Sequence, residues 1–155
     1  MEKETIEIPI RKYRLNELSD EVRFWIDTAV ISAKQAYAPY SEFYVGAVVV
    51  LANGKIVTGN NQENVAYPSG MCAERVALYY AGARYPDVPV KAIVVIAVKD
   101  GIIQKHISPC GACRQVLLET ETRFNQPMQI ILGGSDEVYF IDSAEALLPV
   151  SFKSF

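Results

Sequence analysis

The sequence predicts an α/β fold: a three-layer α/β/α sandwich around a mixed five-stranded sheet, with an extra N-terminal strand as an extension. Three observations carry this prediction. Strand-like and helix-like segments alternate along the chain, the order that covers a sheet with helices. Residues 92–98, Ala-Ile-Val-Val-Ile-Ala-Val, run without a polar interruption, as a strand covered on both faces does. Asn53-Gly54, between two apolar runs, marks a tight hairpin, because both residues tolerate positive φ.

Each element has its own signal. Residues 5–10 alternate Ile6, Ile8 and Ile10 with other residues, which predicts a half-buried strand. Pro9 places it at an edge, since proline cannot donate to a ladder. Ser19 is the expected N-cap of a first helix running to about residue 37. Its Val22, Trp25, Ile26, Ala29, Val30, Ala33 and Tyr37 recur at helical spacing, and Pro39 ends it. Residues 43–51 and 55–59 are the strands of the hairpin. A polar loop at 60–64 and the turn Pro68-Ser69-Gly70 lead into a second helix, which begins near Cys72 and stops near Gly82. After the central strand and an Asp100-Gly101 turn, a third helix spans about 111–122. Strands follow at 128–132 and 137–141, then a short terminal helix at 143–148. No repeat, low-complexity linker or compositional shift interrupts the chain, so residues 1–155 read as one domain.

Composition narrows the function classes. Half of the 155 residues are hydrophobic and 21% are charged, as in soluble globular proteins. The net charge of −3 and sequence pI near 5.2 weigh against nucleic acid, whose binders neutralise phosphates with basic patches. The one basic cluster, Arg11-Lys12-Tyr13-Arg14, reads as a solvated strand end. No apolar run is long enough to span a bilayer, and the first residues lack the apolar region of a signal peptide. A cytoplasmic protein acting on a small molecule is expected.

The three cysteines are the informative residues. They fall in two short motifs, Cys72-Ala73-Glu74 and Pro109-Cys110-Gly111-Ala112-Cys113. Three thiolates with one i,i+3 pair suit a tetrahedral zinc ion whose fourth position stays open for chemistry. Helix N-termini favour thiolates at these positions. Glu74, two residues from a ligand, is placed to move protons. Arg75 and Arg114, close after ligands, are candidates to hydrogen-bond the sulfurs. Two duller readings stand beside this one. His106, the only histidine, would in principle close a structural zinc site. A thioredoxin-like dithiol would leave Cys72 without a purpose.

From about Ala38 to Phe152 the chain resembles the cytidine deaminases, specifically the small homotetrameric class with three cysteine ligands. The resemblance rests on Ala38-Pro39-Tyr40-Ser41, Phe43, Val45-Gly46-Ala47, Asn61-x-Glu63-Asn64, Tyr67 and Cys72-Ala73-Glu74-Arg75. It continues through Pro109-Cys110-Gly111-Ala112-Cys113-Arg114-Gln115 and closes with Leu147-Leu148-Pro149 and Phe152. The resemblance implies one Zn2+ per chain on Cys72, Cys110 and Cys113, with Glu74 as proton shuttle. It implies that the backbone N–H of Ala73 binds the pyrimidine 2-oxo group and that of Cys110 the oxygen added at C4. Phe43 would pack on the base, and Asn61 and Glu63 would hold the sugar 3′-hydroxyl. Tyr67 and Phe152 would help close neighbouring active sites in a homotetramer, while Arg75 supports the sulfurs and Gln115 stands beside them as a further supporting residue.

The implied activity is hydrolytic deamination of cytidine and 2′-deoxycytidine to uridine and 2′-deoxyuridine, with release of ammonia, in pyrimidine salvage. Three rivals remain. A deaminase of another small aminated heterocycle, such as blasticidin or a free base, would share the zinc motifs without needing Asn61 and Glu63. A polynucleotide-editing deaminase is opposed by the acidic pI. A non-catalytic zinc-stabilised interaction domain leaves Glu74 unexplained. The chain also departs from the family's common pattern at Tyr44 and Asn60, in its N-terminal segment and in the tail ending at Phe155.

Overall fold

The computed structural model describes residues 1–153; the last residues of the tail lie outside them. Its strands are β1 (Arg11–Arg14), β2 (Tyr44–Leu51), β3 (Ile56–Asn60), β4 (Val90–Lys99), β5 (Ile102–Ile103), β6 (Gln129–Leu132) and β7 (Glu137–Ile141). Its helices are α1 (Asp20–Ala33), α2 (Ala73–Arg84) and α3 (Gly111–Phe124), and a 3₁₀ turn follows at Ala144–Leu147. The sheet runs β1-β7-β6-β4-β2-β3, with β5 attached to β4. Only β4 and β6 pair in parallel, so the sheet is mixed as expected. Among the described residues it has seven strands rather than five: β1 and the short β5 are the additions.

β4 shows why an uninterrupted apolar run belongs at the centre. Ala92, Val94, Ile96 and Val98 point to one face and join Trp25, Ile26, Ala29 and Ala33 of α1. Ile93, Val95 and Ala97 point to the other, with Ala73 and Ala77 of α2 and Leu117 of α3. A strand alternates its side chains between faces, so two buried faces require apolar residues at every position. Trp25, 4% exposed, is core.

Two glycines set the spacing of the layers. A Cβ on Gly46 of β2 would lie 1.9 Å from the carbonyl oxygen of Ala29, so α1 meets the sheet at backbone distance. A Cβ on Gly59 of β3 would lie 2.5 Å from the carbonyl oxygen of Ala73, which brings the first turn of α2 down onto the end of β3. The buried hydroxyl of Ser32 donates to the Gly59 carbonyl at 2.8 Å, joining α1 to the same strand.

Two expected elements shift. Residues 5–10 form no strand, and Ile6, Ile8 and Ile10 are exposed. The N-terminal strand lies further on, at β1, where Arg11 pairs with Phe140. β7 ends at Ile141, opposite Ile10, so the residues before Ile10 meet no ladder however strand-like their alternation. The first helix stops at Ala33, not near residue 37. Tyr37 is instead held in a loop: its N–H donates to Asn61 O at 3.0 Å and its carbonyl accepts from Glu63 N at 2.8 Å. Those long-range bonds outweigh one more helical turn.

Candidate metal centre and active site

Both cysteine motifs open helices. Cys72 is the N-cap of α2 (φ −72°, ψ 151°) and Cys110 the N-cap of α3 (φ −64°, ψ 165°). Neither thiol caps its own helix through a side-chain hydrogen bond. Cys113 lies one turn into α3 and is buried, while Cys110 is exposed and Cys72 in between. Gly59 seats the start of α2 on the sheet, and α3 enters beside it on the same face.

The three sulfurs converge. Cys72 Sγ and Cys110 Sγ are 3.8 Å apart, Cys110 Sγ and Cys113 Sγ 3.5 Å, and all three lie within 4.8 Å of one another. Tetrahedral zinc with bonds of about 2.3 Å spaces its sulfurs about 3.8 Å apart, so the donor set fits that ion. The electrostatics ask for a cation too. A hydrogen bond from Cys113, and then Arg75, draws the Cys72 thiol down to about 5. The same contact, followed by burial, pushes the Cys113 thiol up.

Arg75 donates from Nη2 to Cys72 Sγ at 3.5 Å, as expected of a residue supporting the sulfurs. Its Nε is buried and has no partner among the described residues. Arg114 does not reach the sulfurs. Its guanidinium is turned to Pro109 O, Leu147 O and Ser108 Oγ instead. Gln115 likewise faces away, donating from Nε2 to Phe152 O at 3.0 Å. His106 stacks on Tyr139 with ring centroids 3.6 Å apart, and the metal-binding group among the described residues is the three cysteines without it.

Glu74 follows in the first turn of α2 and is only 5% exposed. Burial holds its carboxyl above the usual carboxylate range. It opens onto a cavity of about 430 Å³ together with Cys72, Ala73, Cys110, Phe43, Asn61 and Glu63. Seven of the expected site residues thus share one wall-to-wall space. Ser41, Ile107 and Ser108 also line it. Ser41 stood in a recognised motif without an assigned role, and Ser108 was legible only as the residue before Pro109. A second cavity of about 370 Å³ adjoins through Ser41, Asn61, Glu63 and Cys72, and holds Tyr40 and Tyr67. Tyr67 is 78% exposed and Phe152 59%; Phe152 lines neither cavity.

The sugar-side residues are already bonded. Asn61 Oδ1 accepts from Val45 N at 2.7 Å and its Nδ2 donates to Phe43 O at 2.9 Å, tying the end of β3 to the start of β2. Glu63 accepts from Tyr40 N at 2.9 Å and from the Ser41 hydroxyl. The Ser41 hydroxyl, and then the Tyr40 N–H, hold its carboxyl below the usual range. An amide and a carboxylate each retain further hydrogen-bonding capacity beyond these contacts.

Residues 19–125, more than half of the chain, match the model of the family described as "Cytidine and deoxycytidylate deaminase zinc-binding region". The cytidine deaminase of Halalkalibacterium halodurans is 38% identical over 94 residues, which is 61% of this chain and 67% of that protein. A probable cytidine deaminase of Dictyostelium discoideum is 35% identical over 134 residues, 86% of this chain and 85% of that one. The solved cytidine deaminase of Burkholderia pseudomallei superposes with a TM-score of 0.70 at 36% identity, covering 87% of this chain and 100% of that chain. Matches of this length and identity, on a fold that brings the three sulfurs and Glu74 together, place the chain by descent: it belongs to the cytidine and deoxycytidylate deaminase zinc-binding family.

Proposed function

We propose that the chain hydrolyses cytidine and 2′-deoxycytidine to uridine and 2′-deoxyuridine, releasing ammonia. The observation that carries this reading is the buried Glu74 carboxyl, opening onto the same cavity as two of three clustered sulfurs. Cys72, Cys110 and Cys113 hold one zinc ion, which supplies the Lewis acidity that lets water react at neutral pH. Glu74 takes a proton from that water as its oxygen bonds to C4, and delivers a proton to ring N3. It then takes the proton of the new C4 hydroxyl and hands it to the amine as the C4–N4 bond breaks and the 4-oxo group forms, so one carboxylate serves as base and acid in turn. Water enters, ammonia leaves, and no oxidant or reductant is needed.

The remaining residues bind. The Ala73 N–H, in the first turn of α2, meets the 2-oxo group, and the Cys110 N–H meets the oxygen added at C4. Phe43 packs on the base, while Asn61 and Glu63 hold the 3′-hydroxyl with the capacity their backbone contacts leave. No Lys or Arg lines either cavity among the described residues, which supports an uncharged nucleoside over its 5′-phosphate. Exposed Tyr67 and Phe152 fit a homotetramer in which neighbours close each other's sites. On this reading residues 1–155 act as one domain in the cytoplasm, in pyrimidine salvage. No helix among the described residues is long and apolar enough to cross a membrane.

Ultraviolet-monitored turnover of both nucleosides by zinc-assayed protein tests the reaction. Loss of the cytosine band, abolished by stripping the metal and restored by zinc, is the expected result. A zinc-loaded protein inert to both nucleosides would refute the substrate assignment and point to another aminated heterocycle. Truncation before Val150 is expected to raise KM; fully active monomers in sedimentation would end the shared-site arrangement.

A further inference from the structure

We propose that Arg114 is a positioning residue of the metal site, a three-way brace that fixes the segment carrying Cys110. The proposal rests on the three cysteines being the zinc ligands, and it does not depend on the substrate. Residues 104–110 link β5 to α3 without regular structure, and Cys110 is the most exposed of the three cysteines. Pro109 has no N–H to anchor that stretch. His106, earlier in the stretch, stacks on Tyr139, and Arg114 is the side chain that bonds to its end at Ser108 and Pro109. Nε donates to Pro109 O at 2.8 Å, Nη2 to Ser108 Oγ at 2.8 Å, and Nη1 to Leu147 O at 3.0 Å.

The three acceptors lie on two separate parts of the chain. Ser108 and Pro109 immediately precede the ligand, whereas Leu147 ends the 3₁₀ turn that packs beside α3. One planar guanidinium therefore joins the approach to Cys110, the first turn of α3 and the C-terminal part of the fold. Ser108 and Cys110 also line the larger cavity, so the brace sets the position of that wall. A lysine at 114 would keep the charge but lacks the rigid fork that serves acceptors in three directions.

Arg114→Lys, compared with Arg123→Lys, tests this. Arg123 makes the same kind of bond, Nη2 to Pro86 O at 2.7 Å, at the far end of the same helix. The readout is the rate at which zinc passes from the loaded protein to a coloured chelator, measured well below the unfolding temperature. Arg114→Lys is expected to release zinc about 10-fold faster or more, the scale seen when outer supports of metal ligands are removed. Arg123→Lys is expected to release it at the wild-type rate. Wild-type release by Arg114→Lys, or equal acceleration by both variants, would overturn the proposal as a general stability effect. If Arg114→Lys does not fold, Ser108→Ala decides, because it removes one tie at an exposed side chain: faster release upholds the brace and unchanged release overturns it. A wild-type protein that binds no zinc overturns it together with the ligand assignment.

Discussion

Helix α1 and the two helices that bear the cysteines begin with the same backbone geometry and opposite chemistry. At the start of α1, the Ser19 hydroxyl accepts from Val22 N at 3.3 Å, and Asp20 and Glu21 follow in the first turn. That satisfies one orphan N–H and places negative charge at the positive end of the helix dipole. At the starts of α2 and α3 the N-cap residues are Cys72 and Cys110, and their sulfurs point at one another instead of back at the helix. α3 has no acidic residue in its first turn. The sheet separates the two arrangements, with α1 on one face and the cysteine helices on the other. A helix start that only has to be stable spends its cap on itself. The helix starts at the cysteine cluster carry no side-chain cap, and their dipoles favour the thiolates.

The sharpest way to break this comparison is Cys110→Ser. Serine is the better N-cap, so the metal-free variant is expected to match the metal-free parent in stability or exceed it by up to about 1 kcal/mol. Bound zinc should fall from one per chain to nearly none, and turnover should vanish with it. Denaturant titration of both apo proteins, alongside metal analysis, checks the pair of outcomes. A variant that kept its zinc would remove Cys110 from the ligand set.

Glu74→Gln acts on the same first turn without touching a sulfur. A loss of about 10²–10⁴-fold in kcat is expected, with zinc content unchanged. Near-native rates would show that the buried carboxylate moves no proton. Smallest in effect is Ser19→Ala, on the other side of the sheet. It should cost about 1 kcal/mol of stability and leave zinc content and kcat/KM as they were. A fall in zinc binding there would mean that the two faces are not independent.

Much of the site was legible before the fold. Cysteine spacing within Pro109-Cys110-Gly111-Ala112-Cys113 is a one-turn relation that holds in any helix, and Glu74 follows from its place beside Cys72. The convergence of sulfurs 38 residues apart in sequence was inferred from family likeness and is now seen as a distance. Arg114 shows where local reading stops. Its place next to Cys113 suggested a bond to sulfur, but the side chain meets carbonyls at Pro109 and Leu147. Asn61 is similar: its amide is already bonded to the backbone of Phe43 and Val45, a tie invisible without the β2–β3 pairing.

The sequence by itself determined the type and order of the main elements, the two-sided burial of β4 and the Ser19 cap, and it singled out the three cysteines as candidate metal ligands. Those follow from periodicity, capping chemistry and donor type, which act over a few residues. The tertiary structure alone decided that the N-terminal strand is Arg11–Arg14 and not the isoleucine-rich stretch before it, because a strand exists only where its partner extends. It also decided that α1 ends at Ala33, that a two-residue β5 joins the sheet, and which acceptors the arginines meet. Each of those depends on backbone groups far away in the chain, and hydrogen bonds are settled by what is within reach after folding.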